Sequence, residues 1–78
     1  MSKREYIARN LLIINFLKRS KATWKEIESH LELQSELESY NYSMSQRTFQ
    51  RDIAEIRSLY EIDIQNDKST GHYYIAEQ

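Results

Sequence analysis

Between Tyr60 and Ile62 the hydrophobic spacing of this chain changes from that of a helix to that of a strand. Upstream, Phe49, Ile53, Ile56 and Tyr60 recur at i, i+4, i+7 and i+11, which places four apolar side chains on one helical face. Downstream, Ile62 and Ile64 alternate with Asp63 and Gln65, and Tyr73 and Ile75 alternate with Tyr74 and Ala76, the period of half-buried strands. Asn66 to Gly71 separates the two alternating runs with turn-forming residues, so the tail reads as a β-hairpin. Both periods occur within 78 residues, of which 40% are hydrophobic and 29% charged. That is enough apolar surface to fold, and too short a chain for more than one core.

The helical part divides into three. Residues 3–18 form the first helix, with Ile7, Leu11, Ile14 and Lys18 on one stripe, broadened by Tyr6, Asn10, Ile13 and Leu17. A helix apolar on so many sides belongs at the centre of its domain. Ser20-Lys21-Ala22 reads as a connector. Thr23-Trp24-Lys25-Glu26 is a capping box, which starts a second helix at 23 that runs to about 38 with Trp24, Ile27 and Leu31 inward. Residues 39–43 are polar and turn-like. Ser45 caps a third helix over 45–60, and the hairpin occupies 62–76. The fold class expected is mainly α with a small antiparallel β-hairpin.

Several chemistries find no support. With no cysteine there are no thiolate metal ligands and no cysteine nucleophile, and one glycine cannot build a phosphate-cradling loop. Glu26 and His30 lie one helical turn apart, but no further His or Cys is near enough in sequence to complete a metal set. Asp63 to Asp67 lacks the glycine and closing glutamate of a calcium loop. Ser43 and Ser45 have no adjacent histidine to act as base, and Glu36 and Glu38 belong to an acidic helix surface. The apolar run 11–17 is too short to span a bilayer and ends in Lys18-Arg19 without a cleavage site. Asn41-Tyr42-Ser43 matches a glycosylation acceptor, which needs an export signal that is not seen. The expectation is a non-enzymatic cytoplasmic domain with no membrane association, no metal and no cofactor.

Charge is segregated despite a net of −1. Residues 1–21 carry Lys3, Arg4, Arg9, Lys18, Arg19 and Lys21 against Glu5, a net of +5; residues 22–43 carry a net of −4. The third helix opposes its apolar stripe with Arg47, Gln50 and Arg51, followed by the short side chains of Ala54 and Ser58. Arginine grips the major-groove edge of guanine and glutamine that of adenine, while small residues allow close approach. A helix enters that groove best by its N-terminal half.

The run Ser45-Gln46-Arg47-Thr48-Phe49-Gln50-Arg51-Asp52-Ile53 resembles the recognition-helix signature of DeoR-type winged helix-turn-helix regulators, and Gly71 with Tyr73-Tyr74-Ile75 resembles their second wing strand. The layout is most similar to the N-terminal domain of bacterial WYL-domain transcriptional regulators, over essentially the whole chain. The resemblance implies a three-helix winged helix-turn-helix that binds double-stranded DNA, its third helix in the major groove and its wing beside it. Carried over by motif, Arg47, Thr48, Gln50 and Arg51 become DNA contacts, joined by Gln46. Lys68 and His72, with Ser69 and Thr70, form a hairpin tip suited to phosphate. Asp52 matches a carboxylate that orders the fold. Two features depart from the pattern: a longer segment, roughly Glu32 to Met44, replaces the tight turn between helices two and three, and the sensing and dimerisation domain that follows in such regulators lies outside the chain.

A protein-contact module is the competing reading, favoured by the acidic second helix. Leu12 and Phe16, on a different side of the first helix from Ile7, Leu11 and Ile14, are expected to pack on the hairpin through Ile64, Tyr73 or Ile75, leaving the isolated chain monomeric.

Overall fold

The computed structural model describes residues 3–76; Lys3, Arg4, Glu5 and Tyr6 belong to the first helix by their backbone, and their side chains lie outside the description. The elements in chain order are α1 (Lys3–Arg19), β1 (Ala22–Thr23), α2 (Trp24–Glu38), α3 (Gln46–Tyr60), β2 (Ile64–Asp67) and β3 (His72–Ile75). The fold is mainly helical with a small antiparallel sheet, and each helix begins and ends within a residue or so of where periodicity and caps place it.

The hairpin gains a strand that the sequence does not announce. β3 lies at the centre of a sheet ordered β1-β3-β2, with Ala22 opposite Tyr73 and Thr23 opposite His72 on one side, and Ile64 opposite Ile75 on the other. Ala22-Thr23 is therefore a strand rather than a connector. Two residues are too few to display a period, and only the partner in β3 defines them as extended. Within the hairpin Ile64 and Tyr73 are buried and Gln65 and Tyr74 exposed, as the alternation requires; Ile62 and Asp63, expected to open the first strand, precede β2 and are both half-buried. The tip closes through the Asp67 carbonyl, which accepts from the Thr70 and Gly71 amides at 3.2 and 2.7 Å, and Gly71 sits at φ +79°, where a Cβ would be strained.

The buried face of α1 differs from the expected one. Asn10, Ile13, Ile14 and Leu17 point inward, whereas Ile7 and Leu11 remain 39% and 43% exposed and Lys18 is exposed. The helix is apolar on too many sides for the spacing to select a face. What selects it is Arg9, buried beside this stripe in an ion pair with Asp52 of α3. Phe16 stacks flat on His30 of α2, with ring centroids 4.2 Å apart, where the sequence reading favours the hairpin. Burial and the nearby Arg19 charge hold the His30 pKa below its ordinary value.

The α2–α3 connection is not a free polar loop. Tyr42 is buried, its amide donating to Ser35 Oγ at 2.9 Å and its phenol to Glu38 Oε1 at 3.0 Å; Ser35 donates in turn to the Leu31 carbonyl. The longer segment is thus pinned to α2 by one aromatic plug. α2 ends at Ser39 in the left-handed region, φ 58° and ψ 28°.

At the centre, Phe49 is fully buried, 5.0 Å from the Trp24 ring and 5.0 Å from the Tyr73 ring, which meets it edge-on at 81°. It joins α2, α3 and β3. Phe49→Ala should cost about 3–5 kcal/mol, most of what so small a core supplies; a thermal melt like that of the parent would show that the core is organised elsewhere. Ser39→Gly should instead raise the urea midpoint, by about 0.5–1 kcal/mol of stability, because a non-glycine residue in the left-handed region pays for its Cβ. A lowered midpoint would contradict this conformation at the end of α2.

Candidate nucleic-acid interface

α3 is set in place by a cap and three inward contacts. Ser45, extended at φ −76° and ψ 163°, accepts from the Thr48 amide through its side chain at 3.2 Å, and its carbonyl accepts from Phe49 N at 3.0 Å. Phe49, Asp52 and Ile56 then fall on one side and are buried. Asp52 receives Arg9 in a two-pronged contact: Nε donates to Oδ2 at 2.7 Å and a terminal guanidinium nitrogen to Oδ1 at 3.0 Å. This geometry matches guanidinium to carboxylate and makes the pair directional. Asp52 thereby ties α3 to α1 from within the core.

With that side committed, the opposite side is delivered to solvent. Gln46, Arg47, Gln50, Arg51, Ala54 and Ser58 are all exposed, and Arg57 lies exposed in the last turn. Arg47, Gln50, Arg51, Ala54 and Ser58 follow one helical stripe, so the longer donors occupy the N-terminal half and the short side chains the C-terminal half. Thr48 is half-buried at the edge of the stripe, and its hydroxyl accepts from Ser45 Oγ at 3.2 Å. Gln50 is not independent. Its Nε2 donates to the Tyr73 hydroxyl at 2.8 Å, a link from the exposed face of α3 to the central strand.

The hairpin tip is Lys68-Ser69-Thr70-Gly71, and Lys68 is exposed there. His72 is placed differently from the reading that set it at the tip. It lies in β3 between Thr23 and Asp67, half-buried, with Nδ1 in the interior lacking a hydrogen-bond partner. Its charged neighbour is Glu26, whose carboxyl is held below its usual range first by the Thr23 amide, then by the Thr23 hydroxyl and His72. Asp67, before the tip, accepts from Ser69 Oγ at 2.7 Å and Ser69 N at 3.0 Å; these bonds, with Lys21 nearby, lower its pKa. The turn therefore carries an anionic carboxylate at Asp67, whose nearby cation is Lys21.

Three features escape the sequence. Arg9, counted among the basic residues of the first segment, belongs to the interior. Tyr73 reads as a core strand residue, and nothing in its spacing marks it as the partner of Gln50. Lys21 comes close to Asp67 only because β1 pairs with β3. Each depends on contacts across 20 or more residues, which no local period encodes. Among the described residues there is no group of three His, Cys, Asp or Glu side chains able to hold a metal, and no helix long and apolar enough to cross a membrane.

None of the family models, characterised proteins or solved structures compared with this chain matches it.

The ion pair generates its own test. Removing one partner of a buried pair strands the other charge, so Asp52→Ala should cost about 3–5 kcal/mol. The double replacement Arg9→Met with Asp52→Leu should recover a large part of that loss, since two apolar side chains leave no uncompensated charge. Chemical denaturation of the three variants measures it; equal losses in the single and double variants would place the effect in packing rather than charge.

Proposed function

We propose that the chain binds double-stranded DNA and serves transcriptional regulation in the cytoplasm, with the exposed stripe of α3 entering the major groove. The observation that carries this reading is the division of α3: an inner side locked by Phe49, Asp52 and Ile56, and an outer side that offers Arg47, Gln50 and Arg51 and then narrows at Ala54 and Ser58. Residues that serve only solubility need no such order, whereas a groove-reading helix needs donors at its leading half and clearance behind. Gln46 and Thr48 flank the leading turn and suit phosphate contact. Lys68, exposed at the tip, supplies a cation from the wing. In this reading His72 supports the base of the wing rather than meeting phosphate. The module works linked to a sensing or dimerisation domain, and alone it is a monomer covering one half-site.

A specific feature favours protein contact as the second reading. On α2, Leu33 and Leu37 are 52% and 69% exposed, among Glu32 and Glu36. An acidic surface with projecting leucines repels phosphate and suits a basic, apolar partner. Salt dependence separates the two readings, because phosphate contacts release counterions and log K falls linearly with log salt.

Selection of bound duplexes from a random pool, followed by titration at several salt concentrations, tests the proposal. Arg47→Ala should relax preference at one base position, at a cost of about 1–3 kcal/mol there. Arg51→Ala should weaken binding to all sequences alike and reduce the salt slope by about one unit. Parent-like binding by both variants would remove α3 from the interface, and no duplex binding by the parent at low salt would leave the protein-contact reading.

A further inference from the structure

We infer that Tyr73 is a positioning residue for base recognition: its hydroxyl holds the Gln50 amide so that Gln50 reads adenine. The inference rests on the DNA reading above and goes beyond it, by assigning a specificity role to a wing-strand side chain that faces the core. Gln50 Nε2 donates to the Tyr73 hydroxyl at 2.8 Å, although the two residues are 23 positions apart and in different elements. Tyr73 is itself held firmly. It is 7% exposed, meets Phe49 edge-on, and occupies the central strand, paired to Ala22 on one side and Asn66 on the other.

An exposed glutamine must freeze three rotatable bonds before it can make a two-point contact, and it can present its amide in either sense. The Tyr73 contact restrains the first freedom, and in the arrangement seen it is Nε2 that is turned to the phenol. With Nε2 turned to the phenol, Oε1 lies at the opposite edge of the amide. An amide nitrogen carries two protons, of which Tyr73 takes one. When the phenol takes the proton anti to Oε1, the remaining proton and Oε1 share one edge and form the pair that adenine requires, the first for N7 and the second for N6. Guanine offers two acceptors on the same edge and gives Oε1 nothing to accept. Held in this sense, the amide favours adenine at less entropic cost than a free glutamine. Gln50 stays exposed throughout, so the bond does not withdraw it from the surface.

Tyr73→Phe removes the hydroxyl and keeps the ring on Phe49. Duplex selection with the parent, Gln50→Ala and Tyr73→Phe tests the role. The parent should prefer adenine at one position, and Gln50→Ala should abolish that preference. Tyr73→Phe should reduce it about three- to tenfold while leaving the salt slope, the affinity for random duplex and preferences at other positions unchanged. A merely structural tyrosine would move all of these together or none. Unchanged adenine preference in Tyr73→Phe, with the parent binding duplex DNA, overturns the inference alone. A parent that binds no duplex overturns the DNA reading and the inference with it. Proton NMR of the parent chain gives a check that no variant's folding affects: contacts between the Gln50 side-chain amide protons and the Tyr73 ring should be present, and their absence overturns the inference.

Discussion

The rotation of α1 depends on one ion pair. A helix with Ile7, Leu11, Leu12, Ile13, Ile14, Phe16 and Leu17 could bury almost any of its sides, and hydrophobic burial alone is non-directional. Arg9 and Asp52 supply direction. Both are nearly inaccessible, at 2% and 1%, and they meet through two hydrogen bonds of 2.7 and 3.0 Å. In buried pairs desolvation offsets the attraction, so such a pair adds little net stability. Their contribution to register is not offset in that way. Any other rotation of α1 leaves Arg9 or Asp52 buried and uncompensated, a far larger penalty than exposing Ile7 or Leu11. The same bond ties α3 to α1, so the helix that presents Arg47 and Arg51 outward is fixed by the helix that turns Arg9 inward.

A second chain of contacts carries that order to the surface. Trp24, beside the capping box, touches Phe49; Phe49 touches Tyr73; Tyr73 receives Gln50. The path starts at the first turn of α2, crosses the core and returns to the exposed face of α3. One unsatisfied point stands out nearby. Both polar atoms of the Asn10 amide are buried without a hydrogen-bond partner, as is His72 Nδ1. An orphaned amide in a core costs stability rather than adding to it. Asn10 lies on the stripe that faces inward because Arg9 does, and its burial reads as a consequence of the ion pair's hold on α1.

What was legible in the sequence was whatever a local rule decides. The Thr23 capping box, the Ser45 cap, the Phe49 stripe and the alternation around Ile64 and Tyr73 each arise within a few residues, and each appears where expected. The outer stripe of α3 follows from the inner one by helical geometry, so most of the candidate interface was legible too. The losses are of one kind. The face of α1 is decided by Asp52, 43 residues away; β1 exists only through β3; Tyr42 is buried in a segment whose composition reads as loop. His72 and Lys68 look equivalent in the sequence, four residues apart at a turn, yet the pairing of Asp67 with His72 makes one a strand residue and leaves the other at the tip. Long-range partners, not local preferences, decided each of these.

The same arrangement limits what charge can do for the proposed function. Arg9 is neutralised inside, Asp67 adds a carboxylate at the wing, and α2 presents Glu32, Glu36 and Glu38 to solvent. Among the described residues the outward stripe of α3 offers Arg47 and Arg51, and each phosphate neutralised adds about one unit of salt dependence. On the proposed reading, two such cations would not give tight binding by backbone contact alone, and discrimination would come from base edges, where the gain depends on how little freedom the reading side chains lose. That places the weight on groups already held in position, which is why the Gln50–Tyr73 bond matters more here than it would on a strongly basic domain. It also makes linkage to a second copy the economical route to affinity, since a tethered second half-site raises binding without adding positive charge to either module.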